Sequence, residues 1–260
     1  MLRSIIILLS LSAFLNSYSQ DPSLSLRFMT YNIYHGETLN HDFDLNRIAD
    51  VIAQAQPDFV ALQEVDLFTN RAHKMDLTTE LAQRLHMLPF FGTAMPFDSG
   101  YYGEGILSKH PICFLKNHVL SCSPGNEPRA ALEIRIAFPT GDTIAFIGTH
   151  FDHTNDPHDR NTQATELIEI IRNIPYPLIV CGDLNAEPGS EAINILEGEL
   201  SFAFKTNPLK TWPSDKPTQK LDYVMFRPSD GWTLTQKQVT DEQIASDHRP
   251  VWVEMLLNKK

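Results

Sequence analysis

The sequence predicts an α/β (α+β) fold in which mixed β-sheets are covered by helices. Short runs of apolar, β-branched and aromatic residues, each bounded by turn residues, indicate strands. Apolar residues at helical spacing lie between some of these runs but not between all of them. That partial alternation favours sheets with both parallel and antiparallel neighbours.

Eight segments have the pattern of strands. They are Leu26–Ile33, Phe59–Glu64, Glu104–Ser108, Ala131–Phe138, Thr143–His150, Leu178–Asp183, Leu221–Phe226 and Pro250–Leu257. The turn Pro139-Thr140-Gly141-Asp142 joins two of them and predicts an antiparallel hairpin over residues 131–150.

Four segments have one apolar face at helical spacing. They cover residues 45–55, 77–85, 164–171 and 191–196. Asp44 is placed to cap the first of these helices, and Pro57 follows its end. Ser190 is placed to cap the fourth.

The N-terminal segment has the composition of a signal peptide. Arg3 precedes an apolar run over residues 5–15, and Ser17-Tyr18-Ser19 follows it. This pattern predicts a signal peptide over residues 1–19 and a single domain over residues 20–260. A buried N-terminal helix or a membrane anchor is the alternative. No later segment resembles a membrane span, so we expect a secreted or periplasmic protein.

Charge and cysteine content narrow the expected partners. The formal net charge is −11, and removal of Arg3 with the signal peptide gives about −11 − 1 = −12. This acidity disfavours tight non-specific binding to polyanions, but it does not exclude a nuclease whose metal supplies positive charge. Cys113 and Cys122 are compatible with a disulfide or with two free thiols, and Cys181 lies in an apolar strand.

Polar side chains with catalytic or ligand chemistry stand at or near the ends of six strands. They are Asn32, Glu64, His150, Asp152, Asp183, Asn185, Asp222, Tyr223, Asp247 and His248. Each alone has an ordinary structural alternative, such as a turn amide or a charge at a strand edge. Together they predict one site, because residues beyond strand ends converge on a common rim. Their oxygens suit a hard divalent cation, and no Cys/His cluster has zinc spacing.

Eight motifs resemble those of the endonuclease/exonuclease/phosphatase superfamily, in the family's order. They are Thr-Tyr-Asn-Ile (30–33), Leu-Gln-Glu-Val (62–65), Gly-Ile-Leu-Ser (105–108), Pro-Arg-Ala-Ala (128–131), Gly-Thr-His (148–150), Gly-Asp-Leu-Asn (182–185), Leu-Asp-Tyr (221–223) and Ser-Asp-His-Arg-Pro (246–250). The family includes pancreatic deoxyribonuclease, abasic-site endonucleases, neutral sphingomyelinases and inositol-polyphosphate 5-phosphatases. The resemblance covers essentially all of the chain after the signal peptide. It implies a four-layer sandwich of two face-to-face mixed β-sheets flanked by helices.

The resemblance also implies a metal site. Glu64 would be the principal ligand of Mg²⁺, with Mn²⁺ as an alternative ion. Asn32, near Glu64, and Asp247, beside the metal, would be further ligands. No further cofactor is expected.

The resemblance implies catalytic roles for five residues. Asp183 and Asn185 would hold the nucleophilic water and a phosphate oxygen. His248 would be the general base or a charge partner, oriented by Asp222. His150 would donate to a phosphoryl oxygen. These roles agree with the needs of phosphate-ester hydrolysis, in which donors stabilise negative charge and a base takes the proton of water.

Four further positions leave alternatives open. Glu104 stands where many relatives carry Asn and would either orient His150 or be a charge at the rim. Arg129 would contact phosphate or pair with a structural carboxylate, and we favour the carboxylate. Arg71 and Arg160 are candidate substrate clamps, although a solvated surface arginine is the more ordinary interpretation.

These expectations converge on a secreted or periplasmic metal-dependent hydrolase of phosphate esters, and we expect it to be a monomer. Three substrate classes compete: a phospholipid or glycolipid headgroup, nucleic acid, and a soluble sugar or inositol phosphate. The region before Gly141 also resembles the hydrolase-like domain of proteins in glycosylphosphatidylinositol remodelling, while a basic stripe for nucleic acid is not visible. A catalytically silent binding module is the non-enzymatic alternative.

Overall fold

The computed structural model describes residues 23–205 and 209–258. The predicted signal peptide, residues 1–19, lies outside the described residues. Within the described ranges, none of the helices combines the length and the apolar character needed to cross a membrane.

The described residues form strands and helices in the following order. The elements are β1 (Leu24–Asn32), α1 (Leu45–Ala55), β2 (Phe59–Leu67), α2 (Leu77–Leu85), β3 (Leu88–Phe97), β4 (Gly100–Ser108), β5 (Phe114–Leu120), β6 (Arg129–Ala137), β7 (Thr143–His150), α3 (His158–Arg172), β8 (Leu178–Asp183), α4 (Glu191–Glu197), β9 (Ser201–Phe202), β10 (Asp222–Phe226), β11 (Trp232–Val239) and β12 (Val251–Leu257). The predicted hairpin is confirmed, since β6 and β7 pair antiparallel.

The strands form two six-stranded mixed sheets, in the orders β11-β12-β1-β2-β4-β3 and β5-β6-β7-β8-β10-β9. Each sheet contains one parallel pair at its centre, β1 with β2 in the first and β7 with β8 in the second. The other pairs are antiparallel. A helix connects the two strands of each parallel pair, α1 in the first sheet and α3 in the second. In each central pair the carboxyl ends of both strands therefore lie at the same edge of the sheet, where a site can form.

The predicted four-layer sandwich is confirmed by three apolar clusters. One cluster lies between the two sheets, where the rings of Phe28, Phe59 and Phe146 have centroids 5.3–5.6 Å apart. A second cluster joins α1 and α2 to the outer face of the first sheet. The third joins α3 and α4 to the outer face of the second. Burial of these apolar faces is what holds the layers together.

Of the two helix caps predicted from the sequence, the one at α1 forms the expected side-chain hydrogen bonds and the one at α4 does not. The Asp44 carboxylate accepts hydrogen bonds from the backbone N–H groups of Asn46 and Arg47, as expected for a cap. Ser190 occupies the capping position of α4, but its hydroxyl makes no cap hydrogen bond. The predicted position of Ser190 at the start of α4 is therefore confirmed, but its side chain does not stabilise the helix end.

The strands that the sequence prediction missed are the edge strands. These are β3, β5, β9 and β11, which lie at the four sheet edges. β3 contains Pro89 and Pro96, which are tolerated at an edge because a proline cannot donate to a neighbouring strand. β5 and β11 are largely exposed, so they lack the apolar pattern of a buried strand.

The three cysteines are free thiols. Cys113 and Cys122 flank the extended strand β5, whose seven residues alone span about 23 Å. Because a disulfide needs Cα atoms within about 7 Å, this geometry selects the free-thiol alternative. Cys181 is buried in β8, as expected.

Candidate active site

The site begins at the carboxyl ends of the two central parallel pairs. β1 ends at Asn32 and β7 at His150, which is paired with Asp183 at the end of β8. Glu64 enters the site at an irregularity in β2, where the pairing register with β4 shifts between Leu62 and Val65. The φ of Glu64 is 58°, so the bulge turns its side chain out of the regular alternation of the strand.

Two antiparallel strands complete the cluster. Asp222 begins β10 and is paired with Asp183 across the sheet. His248 lies just before β12, which is paired with β1 in the other sheet. The Nδ1 atom of His248 is 2.9 Å from Asp222 Oδ2, and its Nε2 atom is 3.5 Å from Asp183 Oδ2. An imidazole from one sheet therefore lies between two carboxylates of the other.

The electrostatics of this cluster favour a cationic imidazole. Burial lowers the pKa of His248, but the charges of Asp222 and Asp183 outweigh it and raise this pKa to about 10. Burial raises the pKa of Asp183 to about 7, against the opposing effect of His248. Ligand atoms of the three residues lie within 4.8 Å of one another, close enough to hold a cation. Protonated His248 already supplies a positive charge between the two acids.

Asn32 links Glu64 to this cluster. Its amide nitrogen donates to Glu64 Oε1 and to Asp183 Oδ2, each at 3.1 Å. Its amide oxygen accepts from the backbone N–H of Tyr34 at 3.1 Å. Asn32 is therefore placed as a donor to two carboxylates, and its predicted role as a metal ligand stays a prediction.

Glu64 and Asp247 are the carboxylates best suited to a divalent cation. Burial raises the pKa of Glu64, but hydrogen bonding by His35 and Asn32 and the charge of His248 lower it to about 2, so this group is ionised. Burial raises the pKa of Asp247, and the charge of Glu64 raises it further. Two carboxylates in one cleft disfavour each other's ionised form through charge repulsion. A hard cation, which prefers carboxylate oxygens as ligands, offsets that repulsion. The donor set therefore fits Mg²⁺ or Mn²⁺.

His150 is held between donors on both sides of its ring. Arg129 Nη1 is 3.3 Å from Nδ1, and Asn185 Nδ2 is 3.0 Å from Nε2. A guanidinium only donates, so Arg129 donates to Nδ1, and the Asn185 amide nitrogen also donates to the Phe151 carbonyl at 3.0 Å. Nε2 lies 3.6 Å from Asp183 Oδ2. Burial, with the charge of Arg129, lowers the pKa of His150 well below its ordinary value, so the ring is a neutral donor.

Arg129 is buried and pairs with a carboxylate, as favoured from the sequence. Its Nη2 atom is 3.0 Å from Glu127 Oε2 and 3.0 Å from His153 Nδ1. The guanidinium still borders the cleft, together with both of these partners. The pair therefore belongs to the wall of the site.

Glu104 matches neither of its two sequence interpretations. It is fully buried, which rules out a charge at the rim. Neither carboxyl oxygen has a hydrogen-bond partner in the described part of the chain, so it does not orient His150. The Nδ1 side of His150 is occupied by Arg129 and by the Tyr102 hydroxyl, at 3.5 Å. Burial raises the pKa of Glu104 well above its ordinary value.

The two candidate clamps line the cleft but are already engaged. Arg71 Nε and Nη2 lie 2.6 and 2.9 Å from the carboxylate of buried Asp66, and its guanidinium lies 4.5 Å from the centre of the Phe97 ring. Arg160 donates to the backbone carbonyl of Asp152 at 3.1 Å. Substrate contact by either arginine remains a prediction, and the charge of Arg71 is largely neutralised by its partner.

The residues converge on a polar cleft of about 630 Å³. Its lining includes Glu64, Arg71, Arg129, His150, Arg160, Asp183, Asn185, Asp247 and His248. A cleft of this volume suits a small molecule, since ligand sites commonly have volumes of about 300–1,000 Å³.

Three supporting residues were not assigned from the sequence. The Ser246 hydroxyl donates to the Asn32 carbonyl at 2.7 Å and ties the last loop to β1. The Thr211 hydroxyl accepts from the backbone of Asp222 at 3.3 Å. Glu127 pairs with Arg129. Ser246 stands inside a motif and was open to inference, but nothing in the local sequence marks Thr211 or Glu127.

Comparison with known proteins identifies the family. The profile described as Endonuclease/Exonuclease/phosphatase family matches residues 29–248. The chain belongs to that family. The uncharacterized protein YbhP of Escherichia coli K12 is 26% identical over 254 residues, covering 92% of this chain and 99% of that protein.

Solved structures of the family share the fold. A family protein from Bacteroides thetaiotaomicron superposes with a TM-score of 0.77 at 17% identity, covering 92% of this chain and all of that one. A mannosyl-6-phosphatase of the same organism gives a TM-score of 0.73 at 18% identity, covering 88% of this chain and 99% of that one. At these identities the likeness concerns the fold alone. Family membership fits a hydrolase acting on phosphate esters.

Proposed function

We propose that this chain is a secreted or periplasmic phosphoesterase that requires a divalent cation, Mg²⁺ or Mn²⁺. The observation that carries the proposal is the placement of His248 between Asp183 and Asp222, beside ionised Glu64, on the wall of one cleft. This arrangement unites a cationic charge partner, a group able to accept a proton and a ligand for a hard cation.

Glu64 and Asp247 would hold the metal. A bound cation supplies Lewis-acid polarisation of the phosphoryl group and lowers the pKa of coordinated water. Asn32 keeps Glu64 and Asp183 in a fixed relation through its two donated hydrogen bonds.

Asp183 is the proton acceptor in this proposal. Its pKa of about 7 lies near the value at which a general base works best at neutral pH. His248, with a pKa of about 10, acts as the charge partner, which was one of its two predicted roles. Asn185 and the neutral His150 donate from the opposite side to a developing negative charge. Asp222 holds the imidazole in place.

A small phosphate ester is the substrate class that the cleft supports best. The cleft volume of about 630 Å³ suits a small molecule, and the net charge of −11 disfavours a polyanion. Similarity in fold to a mannosyl-6-phosphatase supports a phosphorylated sugar within this class. Hydrolysis of a lipid headgroup or of nucleic acid would be the alternative result of a substrate panel.

Hydrolysis of bis-p-nitrophenyl phosphate and p-nitrophenyl phosphate, with and without EDTA, tests the reaction class. We expect EDTA to abolish turnover and Mg²⁺ or Mn²⁺ to restore it. His248→Ala and Glu64→Ala should each reduce kcat/KM by at least about 100-fold, through loss of the charge partner and of the metal ligand. His86→Ala is the control, because His86 is an exposed histidine that does not line the cleft. Turnover that survives both substitutions, or that is indifferent to EDTA, contradicts the proposal.

A substrate panel of sugar phosphates, inositol phosphates, sphingomyelin, and single- and double-stranded DNA then separates the classes. We expect the highest kcat/KM on a sugar phosphate. Expression of the full chain in a Gram-negative host tests export, since the proposed mature protein begins near Gln20. An intact N-terminus in the cytoplasmic fraction would exclude secretion.

A further inference from the structure

The segment that follows β1 has an unusual backbone. Tyr34, His35 and Gly36 all lie in the left-handed region, with φ values of 46°, 45° and 91°. A residue other than glycine loses roughly 1–2 kcal/mol in this conformation. Such strain persists only where the surrounding structure holds it, and it concentrates at functional sites. The consequence here is the position of the His35 ring.

The His35 ring lies between two carboxylates. Its Nδ1 atom is 3.6 Å from Glu64 Oε2, and its Nε2 atom is 3.4 Å from Glu37 Oε2. Nδ1 is buried and has no hydrogen-bond partner in residues 23–205 or 209–258, so Glu64 is the acceptor that it faces. Only 13% of the His35 side chain is exposed.

Each oxygen of Glu64 therefore has its own neighbour. Oε1 accepts from Asn32 at 3.1 Å, and Oε2 is faced by His35. Glu64 itself has a left-handed φ of 58°, so a strained residue of β2 meets a strained residue of the segment after β1 at this contact. A carboxylate held from both sides is restricted to one orientation toward the cleft.

We propose that His35, supported by Glu37, is a positioning residue that orients Glu64 for the divalent cation. The inference rests on the proposed function, because it assumes that Glu64 holds a metal. Hydrogen-bond partners of metal ligands commonly contribute 10–100-fold to metal affinity, since they fix the ligand before the ion binds. Loss of the His35 ring should therefore weaken metal binding without removing any metal ligand.

Mn²⁺ binding to the whole mature chain tests this, measured from the electron paramagnetic resonance signal of free Mn²⁺. We expect His35→Ala to raise the Kd for Mn²⁺ by roughly 10–100-fold. His35→Asn keeps a residue that tolerates a left-handed backbone but lacks the reach of imidazole, and it should show the same loss. Glu37→Ala should give a smaller loss than either, and Glu37→Gln, which keeps an oxygen acceptor, should lie nearer the wild type.

His86→Ala is the matched control. His86 is exposed and also left-handed, with a φ of 55°, so its replacement removes an imidazole at a similar backbone cost. Its Kd for Mn²⁺ should equal that of the wild type. Melting temperatures measured without metal identify any variant that fails to fold. If His35→Ala fails to fold, the Kd of His35→Asn tests the inference.

Two further measurements separate positioning from direct catalysis. At saturating Mn²⁺, kcat of the His35 variants should recover to within a few fold of the wild type, because the ligand set is intact. In the Glu64→Gln background, His35→Asn should add little further loss of affinity, since His35 acts through Glu64.

Wild-type Kd values in both His35 variants, or full additivity with Glu64→Gln, would overturn the inference while leaving the phosphoesterase proposal standing. A wild-type chain that neither binds Mn²⁺ nor hydrolyses any phosphate ester would overturn both.

Discussion

At the scale of single residues, the proton on His248 decides how the site is charged. Asp222 and Asp183 raise the pKa of His248 to about 10, although burial alone would lower it. The imidazole is therefore cationic at neutral pH and loses its proton only as the pH rises through about 10.

The first prediction concerns this titration. In the metal-free protein, the NMR signal of the His248 ring should report a proton retained through neutral pH and lost near pH 10. Asp222→Asn removes a negative charge 2.9 Å from Nδ1, so the midpoint should move to lower pH. A wild-type midpoint near 6.5, or a midpoint that Asp222→Asn leaves unchanged, would contradict the proposed charge state.

The second prediction compares two buried glutamates. Burial raises the pKa of Glu104 well above its ordinary value, which favours a neutral carboxyl, so Glu104→Gln should change the free energy of unfolding by less than about 0.5 kcal/mol. Glu133 lies 2.8 Å from His118 and 2.6 Å from Arg135. Glu133→Gln should therefore cost roughly 1–3 kcal/mol at pH 7, measured by urea unfolding. Equal effects of the two substitutions would contradict the proposed difference in charge between Glu104 and Glu133.

At the scale of elements, the sequence was sufficient for the central strands and insufficient for the edges. Central strands are covered on both faces, so their apolar runs stand out from the turns around them. An edge strand such as β5 exposes much of its length, and β3 contains two prolines, so neither has the expected composition. Their pairing depends on neighbours that are distant in sequence.

The third prediction concerns helix caps. Asp44 accepts two backbone hydrogen bonds at the start of α1, so Asp44→Ala should cost about 1 kcal/mol in the free energy of unfolding. Ser190→Ala is the matched control at α4, because the Ser190 hydroxyl makes no such bond, and it should cost less than about 0.5 kcal/mol. Denaturant midpoints measure both, and a larger loss for Ser190→Ala would contradict the assignment.

At the scale of the whole molecule, the sequence identified most of the site but not its geometry. Residues at strand ends could be grouped because the carboxyl ends of parallel strands share one edge. The bulge at Glu64 and the direction of the Asn32 amide depend on pairing across strands, which no local pattern reveals. Glu104 was misjudged for the same reason, since its burial arises from the packing of one sheet on the other.

The fourth prediction concerns the contact between the sheets. Phe146 of β7 packs against Phe28 and Phe59 of the other sheet and is fully buried, so Phe146→Ala should cost roughly 3–5 kcal/mol. Leu115→Ala, on the exposed edge strand β5, should cost less than about 0.5 kcal/mol. Urea unfolding measures both, and similar losses would show that the inter-sheet cluster is not the principal apolar core.

Because β12 pairs with β1, the site can form only late in the synthesis of the chain. Ser246 bonds to Asn32 across 214 positions of chain, and His248 reaches its acids only when β12 is laid beside β1. A ribosome builds the chain from its N-terminus, so a nascent polypeptide shorter than about 257 residues lacks the imidazole's anchoring strand. Unfinished chains should therefore be inert toward phosphate esters, and hydrolytic competence should appear only once translation has passed Leu257.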